Sequence, residues 1–339
     1  MDMDINQNFT SNFVWNKNPE ATGRNILDHQ DEWDQIDENG DTPLIITCSG
    51  NNKILSLKIL EYPEKCNLGC ANNKKSTALI WACIRCLEEV ALKILEYPGK
   101  CNLGCADNNN CTALIWACYN KLDEIALKIL EYPKECNLGQ VEDNNRNTPL
   151  TWACDRGLEE VALKLLEYPK ECGIGHVTNL RNTPLIIACR KGLEKVAMKL
   201  LDYPTECNLD QVNSDGDTAI IWACKFNLKN VVLKMLDYHE HFDFNKLKNN
   251  IVLNVRTSDW DNIIAKLESI EKKNITSAFP IYTNNQCLIC LDNTNKYYCI
   301  PECKHCISIC EKCDIYKIMN CSLCTKKINH KTIFSLLVN

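Results

Sequence analysis

The stretch STALIWAC, residues 76–83, recurs with small changes at five other places in the chain. Successive copies are 35 or 36 residues apart, and a second marker, Tyr followed in five copies by Pro, keeps the same spacing. The aligned threonines are Thr42, Thr77, Thr112, Thr148, Thr183 and Thr218. Self-similarity at such a period predicts a solenoid, in which each unit buries its apolar face against its neighbours.

Each unit is predicted to fold as two helices. The threonine precedes Pro or Ala, so its hydroxyl suits a helix N-cap and the Pro suits the first turn. The run LIWAC, residues 79–83, is predicted to be the buried first helix. In LEEVALKILEY, residues 87–97, the apolar residues form one stripe of a second helix, which Pro98 is expected to end.

The repeated pattern resembles the ankyrin repeat, whose signature is D-x-x-G-x-T-P-L-H-x-A, over residues 37–246. This resemblance implies a mostly α-helical solenoid of helix-turn-helix repeats. The predicted bounds of the six repeats are 37–71, 72–106, 107–142, 143–177, 178–212 and 213–246.

Two positions of that signature are changed in this chain. Its His is replaced in every repeat, for example by Ile45 and Thr151, which predicts the loss of a hydrogen bond at the helix start. Its turn Gly remains at Gly40 and Gly216. The residues that replace this Gly are Lys75, Asn110, Arg146 and Arg181. If they keep a positive φ, Asn tolerates it best and the longer side chains carry strain.

The position after the replaced His is mostly aromatic. It is Ile46, Trp81, Trp116, Trp152, Ile187 or Trp222. In ankyrin repeats this position tends to face the surface that binds partners, so the resemblance implies that the four tryptophans bind a protein partner. Aromatic anchors on a rigid surface are typical of binding hot spots. The alternative is that they pack against the neighbouring hairpin or the adjacent helix.

Two sets of cysteines recur at the spacing of the repeat. They are Cys48, Cys83, Cys118, Cys154, Cys189 and Cys224 in the first helices, and Cys66, Cys101, Cys136, Cys172 and Cys207 in the loops after Tyr-Pro. No His accompanies them at the spacing of a metal site. We expect them to be small buried apolar residues, as free cysteines commonly are.

The remaining segments are predicted to flank two folded domains. Residues 1–36 form an N-terminal arm with a short helix near residues 26–33, and residues 247–286 form a capping helix and linker. Ser258 would cap that helix and cover the last repeat. Its expected apolar face comprises Trp260, Ile263, Ile264, Leu267 and Ile270. Residues 326–339 are a C-terminal tail.

The end of the chain carries three C-x2-C pairs and a C-x-H within 38 residues. The predicted ligands are Cys287, Cys290, Cys303, His305, Cys310, Cys313, Cys321 and Cys324. Each C-x2-C pair can present two thiolates to a tetrahedral zinc, so eight ligands predict two zinc ions. So short a segment takes its folding free energy from the metal. Cys306 is an alternative to His305, because a thiolate is the softer ligand and because three residues rather than four separate Cys306 from Cys310.

This arrangement resembles the RING-type zinc finger over residues 287–325. The resemblance implies interleaved ligands, with Cys287, Cys290, Cys310 and Cys313 on one zinc and Cys303, His305, Cys321 and Cys324 on the other. It also implies a ubiquitin-conjugating enzyme bound at Ile289 and Leu323, with no covalent catalytic residue. Two positions depart from the family, since its usual Pro is Ser322 and its usual Arg or Lys is Thr325.

Together the two resemblances predict a RING-type ubiquitin-protein ligase whose ankyrin array recruits a protein substrate. The alternative is a non-catalytic ankyrin adaptor whose zinc module is structural or mediates dimerisation, which Ser322 and Thr325 favour. We expect no nucleic-acid partner, because residues 1–286 carry a net charge of −9. Without an apolar run of membrane-spanning length, we expect no membrane association.

The predicted location is the cytoplasm. The N-terminal residues lack the pattern of a signal peptide, and we therefore expect reduced thiols. Ankyrin arrays with Tyr-Pro and Cys-Asn-Leu-Gly loops and a terminal RING resemble proteins encoded by giant DNA viruses, which would imply the host cytoplasm.

Overall fold

The computed structural model describes residues 33–238, 262–267, 269–270, 296–300, 305–308 and 334–337, the last three ranges by their backbone. The chain divides into two units, Met1–Val255 and Arg256–Asn339. Residues 1–32, with all but the last residue of the predicted short helix, lie outside the described residues. Trp33 lies in a turn, where it is buried and contacts the Tyr62 ring edge-on at 5.8 Å.

In the described part of the first unit, helices come in pairs at the spacing of the sequence repeat. The first helices are α1 (Pro43–Ser49), α3 (Ala78–Ile84), α5 (Ala113–Tyr119), α7 (Pro149–Arg156), α9 (Pro184–Arg190) and α11 (Ala219–Lys225). The second helices are α2 (Lys53–Ile59), α4 (Glu88–Ile94), α6 (Asp123–Ile129), α8 (Glu159–Leu165), α10 (Glu194–Leu200) and α12 (Lys229–Asp237). A 3-10 turn, Pro63–Lys65, follows α2. Within the described residues, no helix is both long and apolar enough to span a membrane.

The first helices begin at the repeated threonine, as predicted. The Thr77 hydroxyl accepts a hydrogen bond from the Ile80 amide at 3.3 Å. Equivalent bonds are made by Thr42, Thr112, Thr148 and Thr183. For Thr218 the predicted cap is wrong, since its hydroxyl accepts no bond from a helix amide and is buried without a partner within the described residues.

The fourth repeat keeps a hydrogen bond at the helix start. The Thr151 hydroxyl accepts from the Thr148 amide at 2.7 Å, while the Thr148 hydroxyl accepts from the Thr151 amide at 3.2 Å. This reciprocal pair is a capping box. The predicted loss of the bond is therefore wrong for Thr151, where a hydroxyl does what the family's His does elsewhere.

The second helices are held mainly by burial. In α4 the buried residues Val90, Ala91 and Ile94 form the predicted stripe. Glu88 lies in the first turn and Lys93 in the last, where their charges oppose the partial charges of the helix ends. The helix ends at Ile94, before Pro98, and α6, α8 and α10 have the same design.

Neighbouring repeats pack first helix on first helix and second helix on second helix. Their hairpin loops are joined by single backbone hydrogen bonds. The Asn73 amide donates to the Asn39 carbonyl at 2.8 Å, and equivalent bonds join each later loop to the one before it. Every repeat is therefore tied to the preceding one at its loop as well as in its core.

One polar side chain closes each hairpin loop. In the third repeat, Oδ1 of the buried Asp107 accepts from the amides of Asn109 and Cys111 at 2.8 and 2.9 Å. The same place is taken by Asp37, Asn72, Glu142, Thr178 and Asn213. Such a side chain mimics a backbone turn.

The extra residue of the 36-residue spacing lies in the fourth loop. There the closing side chain is the longer Glu142, which accepts from the amides of Asn144, Asn145 and Asn147. The inter-loop ladder resumes its register at once, since the Asn179 amide donates to the Asn145 carbonyl. A longer side chain thus compensates for a longer loop.

The turn position keeps a positive φ where Gly is replaced as well as where it remains. Gly40 and Gly216 have φ of 74° and 85°, and the four replacing residues have φ of 56° to 58°. Three of those four are Lys or Arg, whose Cβ is strained there.

The CNLG loops bring neighbouring repeats into close contact. A Cβ added at Gly69 would lie 2.6 Å from the Lys100 carbonyl oxygen, and one at Gly104 would lie 2.7 Å from that of Glu135. The Asn137 side chain donates to the Gly104 carbonyl at 2.9 Å. Only glycine fits at these two contacts between repeats.

In the second unit, residues 262–267 and 269–270 are helical. Ile263, Leu267 and Ile270 are buried, as predicted, but Ile264 is 42% exposed. The prediction that Ile264 shares the buried face is wrong, because it lies about 100° around the helix from Ile263. Ser258 and Trp260 lie outside the described residues. That this helix covers the last repeat stays a prediction.

Three strands form an antiparallel sheet in the second unit. They are β1 (Lys296–Ile300), β2 (His305–Ser308) and β3 (Phe334–Leu337), in the order β2-β1-β3. In the register, Ile300 pairs with His305 and Cys299 with Cys306.

Candidate functional site

The four repeated tryptophans lie on first helices and are half-buried, whereas Ile187 at the same position of the fifth repeat is buried. Each indole therefore packs against the array with one part and reaches the surface with another. Half-burial agrees with packing against the array and leaves part of each ring accessible, so the prediction that these residues bind a partner stays a prediction.

The hairpin contact is clearest for Trp116. Its Nε1 donates to Oδ2 of Asp107 at 3.0 Å. In the second and sixth repeats the equivalent closing residues are Asn72 and Asn213, and the indole nitrogens of Trp81 and Trp222 are buried without a partner within the described residues. The Asn side chains direct their amide groups to the preceding repeat instead, to Asp41 and Asn182.

A cluster of three rings and one guanidinium joins the third and fourth repeats. The Tyr119 ring meets Trp116 edge-on at 5.7 Å and Trp152 at 4.8 Å. The Arg156 guanidinium lies 4.5 Å from the Tyr119 ring centre and 5.0 Å from that of Trp152. We call Trp116, Tyr119, Trp152 and Arg156 the aromatic–cationic cluster.

Sequence reasoning did not single out Tyr119 or Arg156. The signal was available, because residues three and four places after a surface tryptophan lie on the same helix face. Tyr119 follows Trp116 by three residues, and Arg156 follows Trp152 by four. Tyr119 is 39% exposed, so the cluster reaches the surface.

A cation also lies over the tryptophan ring in the second and sixth repeats. Arg85 lies 5.7 Å from the ring centre of Trp81. Lys225 lies 4.4 Å from that of Trp222, whose other neighbour, Phe226, is 48% exposed. Cation–π contacts of this kind contribute about 0.5–1 kcal/mol at exposed sites.

The repeat cysteines are buried, as predicted. Of the fifteen cysteines in the described repeats, twelve are buried, and Cys70, Cys86 and Cys105 are at least partly accessible. Burial raises the pKa of the Cys48 and Cys66 thiols to about 12. Among the described residues, no group of three or more His, Cys, Asp and Glu is arranged to hold a metal.

The predicted zinc ligands lie outside the described residues, apart from His305. Its backbone, like that of the alternative ligand Cys306, lies in β2. Ile289 and Leu323, the predicted contacts of a conjugating enzyme, also lie outside the described residues.

The family described as ankyrin repeats (3 copies) matches residues 89–176 and 168–247. The chain contains ankyrin repeats. Solved structures that match include the ankyrin repeat domain of Bcl-3, described as a unique member of the IkappaB protein family. That match has 23% identity and a TM-score of 0.43, and it covers 59% of this chain and 87% of the other. No curated protein matches the sequence.

Ankyrin repeats are a protein-interaction architecture, and the array here is consistent with a role in protein–protein interaction. Its chemistry agrees with that role, because half-buried aromatic rings and Arg are the side chains enriched at binding hot spots.

Proposed function

We propose that this protein is a ubiquitin-protein ligase in which the ankyrin array holds a protein substrate and the C-terminal module binds a ubiquitin-conjugating enzyme. For the array, the observation that carries the proposal is the aromatic–cationic cluster, a rigid surface with Tyr119 exposed. For the C-terminal module, the support is the ligand pattern of the sequence.

The donor set of that module suits zinc. Seven thiolates and one imidazole are soft and borderline ligands, which zinc binds in tetrahedral sites. In this proposal Cys287, Cys290, Cys310 and Cys313 hold one ion, and Cys303, His305, Cys321 and Cys324 hold the other. Bound zinc supplies folding free energy to the module, and the closed ligand sets leave no position for metal catalysis.

The role of the module in this proposal is positioning. A conjugating enzyme bound at Ile289 and Leu323 brings its thioester close to a lysine of the substrate on the array. The linkage raises the effective concentration of that lysine.

The first test is a ubiquitination assay with the full chain, activating enzyme, ATP and a panel of conjugating enzymes. We expect ubiquitin chains that are lost after chelation and in Ile289→Ala. Two bound zinc ions without chains from any conjugating enzyme would favour the alternative, a non-catalytic adaptor, with Ser322 and Thr325 as the reason.

A second measurement separates substrate capture from transfer. Ubiquitinated proteins are compared in cells that express the wild type, Ile289→Ala or Tyr119→Ala. We expect Ile289→Ala to lose self-ubiquitination and all substrates, and Tyr119→Ala to lose substrates but keep self-ubiquitination. Unchanged substrates in Tyr119→Ala would contradict the role of the cluster.

A further inference from the structure

The charges of the ankyrin array are segregated between the two halves of its repeats. In repeats two to five, the segments with the hairpin loop and first helix carry nine Lys and Arg against four Asp and Glu. The segments with the second helix and its following loop carry eight Lys against fifteen Asp and Glu. Summed over these four repeats, the half with the hairpin loop and first helix carries a net charge of +5, and the half with the second helix carries −7.

The four carboxylates on the positive side are all engaged. Asp107 and Glu142 are buried and close their loops. Asp143 accepts from the Asn110 side chain at 2.8 Å. Asp155 pairs with Arg190 at 3.1 Å and with Lys191 at 3.2 Å.

Most cations on that side, by contrast, have no carboxylate within 4.0 Å among the described residues. They are Lys74, Lys75, Arg85, Lys121, Arg146, Arg156 and Arg181. The lysines of the second helices, such as Lys93, Lys128 and Lys164, do have carboxylate partners at 2.7 Å. Among the described residues, five of the eight lysines on the second-helix half have a carboxylate partner, whereas only two of the nine cations on the other half do.

Arg156 is the best placed of the available cations. Its guanidinium lies against two rings, which restricts its position, and no carboxylate pairs with it among the described residues. A guanidinium presents a planar fork of donors that matches the two oxygens of a carboxylate. The rings beside it would cover the apolar part of the side chain that bears the carboxylate.

We propose that the aromatic–cationic cluster, with Arg85 beside it, binds a carboxylate-rich peptide segment of a protein partner. This inference rests on the proposed function and specifies the chemistry of the segment that the array recognises. Arg156 anchors an Asp or Glu of the segment, and Tyr119 and Trp152 contact its neighbours. The acidic second helices repel such a segment and restrict it to the other side.

The test selects, from a random library of twelve-residue peptides, those that bind the immobilised full chain. The wild type is expected to enrich peptides with several Asp or Glu beside apolar residues. The double variant Arg85→Ala/Arg156→Ala is expected to bind those peptides at least tenfold more weakly. A matched variant, Lys128→Ala/Lys164→Ala, removes the same charge from second helices and is expected to bind within twofold of the wild type.

Thermal unfolding of each variant shows whether it is folded, and Arg156→Lys gives a second readout if the double variant is not. Arg156→Lys keeps the positive charge but loses the planar pair of donors. We therefore expect its affinity for the acidic peptides to lie between those of the wild type and the double variant. Enriched peptides without acidic residues, whose binding depends on Tyr119 but not on Arg156, would overturn the inference and leave the proposed protein-binding role intact. No enrichment would count against both.

A fluorescent single-stranded oligonucleotide of twenty thymidines distinguishes phosphate from carboxylate. If it binds with an affinity that depends on Arg156 and displaces the peptides, the surface recognises nucleic acid and the inference is wrong. We expect no displacement, because the acidic half of each repeat repels a long polyanion.

Discussion

The indole Nε1 of Trp116 donates to Oδ2 of Asp107, while Oδ1 of the same carboxylate accepts two loop amides. One side chain thereby closes its loop and ties the first helix to it. A carboxylate can do both because both of its oxygens accept, whereas an amide side chain has only one acceptor. Where Asn213 closes the loop, the indole nitrogen of Trp222 has no acceptor within the described residues.

Exchange of these two closing residues should have unequal effects on stability. Asp107→Asn leaves the Trp116 donor unsatisfied and is expected to lower the free energy of unfolding by about 1–2 kcal/mol. Asn213→Asp offers Trp222 an acceptor but loses the Nδ2 donor that Oδ1 of Asn182 accepts, so the two effects offset and the change is expected to stay within about 0.5 kcal/mol. Urea unfolding followed by circular dichroism measures both, and an equal loss of stability in the two variants would contradict the explanation.

Substitution of a glycine between repeats should destabilise the array. Gly69→Ala and Gly104→Ala place a Cβ against the carbonyl oxygen of the next repeat, which should cost about 1–3 kcal/mol. Gly99→Ala is the matched control, because nothing lies within 4 Å of its added Cβ. Thermal unfolding of the three variants compares them, and equal melting temperatures would show that the repeats can move apart without cost.

The positive φ at the turns predicts a reciprocal pair of changes. Arg181→Gly removes a strained Cβ and should stabilise by about 0.5–1 kcal/mol after the greater freedom of glycine in the unfolded chain is included. Gly216→Ala, with open space around the added Cβ, should destabilise by about 1 kcal/mol from strain alone. The check is the urea midpoint, and a loss of stability in Arg181→Gly would mean that the arginine side chain contributes more than its strain costs.

The buried thiols predict alkaline instability. Burial raises the pKa of Cys48 and Cys172 to about 12 from an ordinary value near 9, because the thiolate is disfavoured inside the array. The unfolded chain then releases protons that the folded chain keeps, so the free energy of unfolding is unaffected below about pH 8.5 and falls as the pH rises toward 12.

The measurement is the urea midpoint at pH 7, 8, 9 and 10. We expect no change attributable to these thiols up to pH 8 and a steep fall by pH 10. Cys48→Ala should reduce that fall slightly, since it removes one of the titrating groups. A midpoint that stays level to pH 10 would show that the thiols ionise in the folded chain.

The choice between His305 and Cys306 predicts a difference in metal content. If His305 is the ligand, His305→Ala should retain one zinc ion after dialysis and Cys306→Ala should retain two, as the wild type does. Mass spectrometry under non-denaturing conditions counts the ions. The reverse result would assign the ligand to Cys306.

The sequence predicts those features of the array that depend on residues close together within one repeat. The spacing of the threonines predicts the paired helices, and five of six caps are confirmed because a hydroxyl and an amide three residues apart meet within one turn. Burial of the repeat cysteines and the positive φ at Lys75 follow from the same periodicity. The zinc ligands were predicted from spacing alone, and that part stays a prediction.

Contacts between repeats were not predicted, since they depend on which residues are superposed when the units stack. Tyr119 reaches Trp152 across 33 positions of sequence, and the approach of Gly104 to Glu135 requires the same stacking. The cap of Thr218 was also wrongly predicted. Its backbone is extended like that of the other five threonines, and nothing in the structure explains why its hydroxyl makes no cap.

Glu142 has a consequence for how such an array can be rebuilt. Its loop is one residue longer than the others, and its side chain is one methylene longer than the Asp of the third loop. One repeat therefore cannot be exchanged for another at an arbitrary boundary. A duplicated or transferred repeat must keep its closing residue together with its loop length, because a mismatch between the two leaves the loop amides without an acceptor.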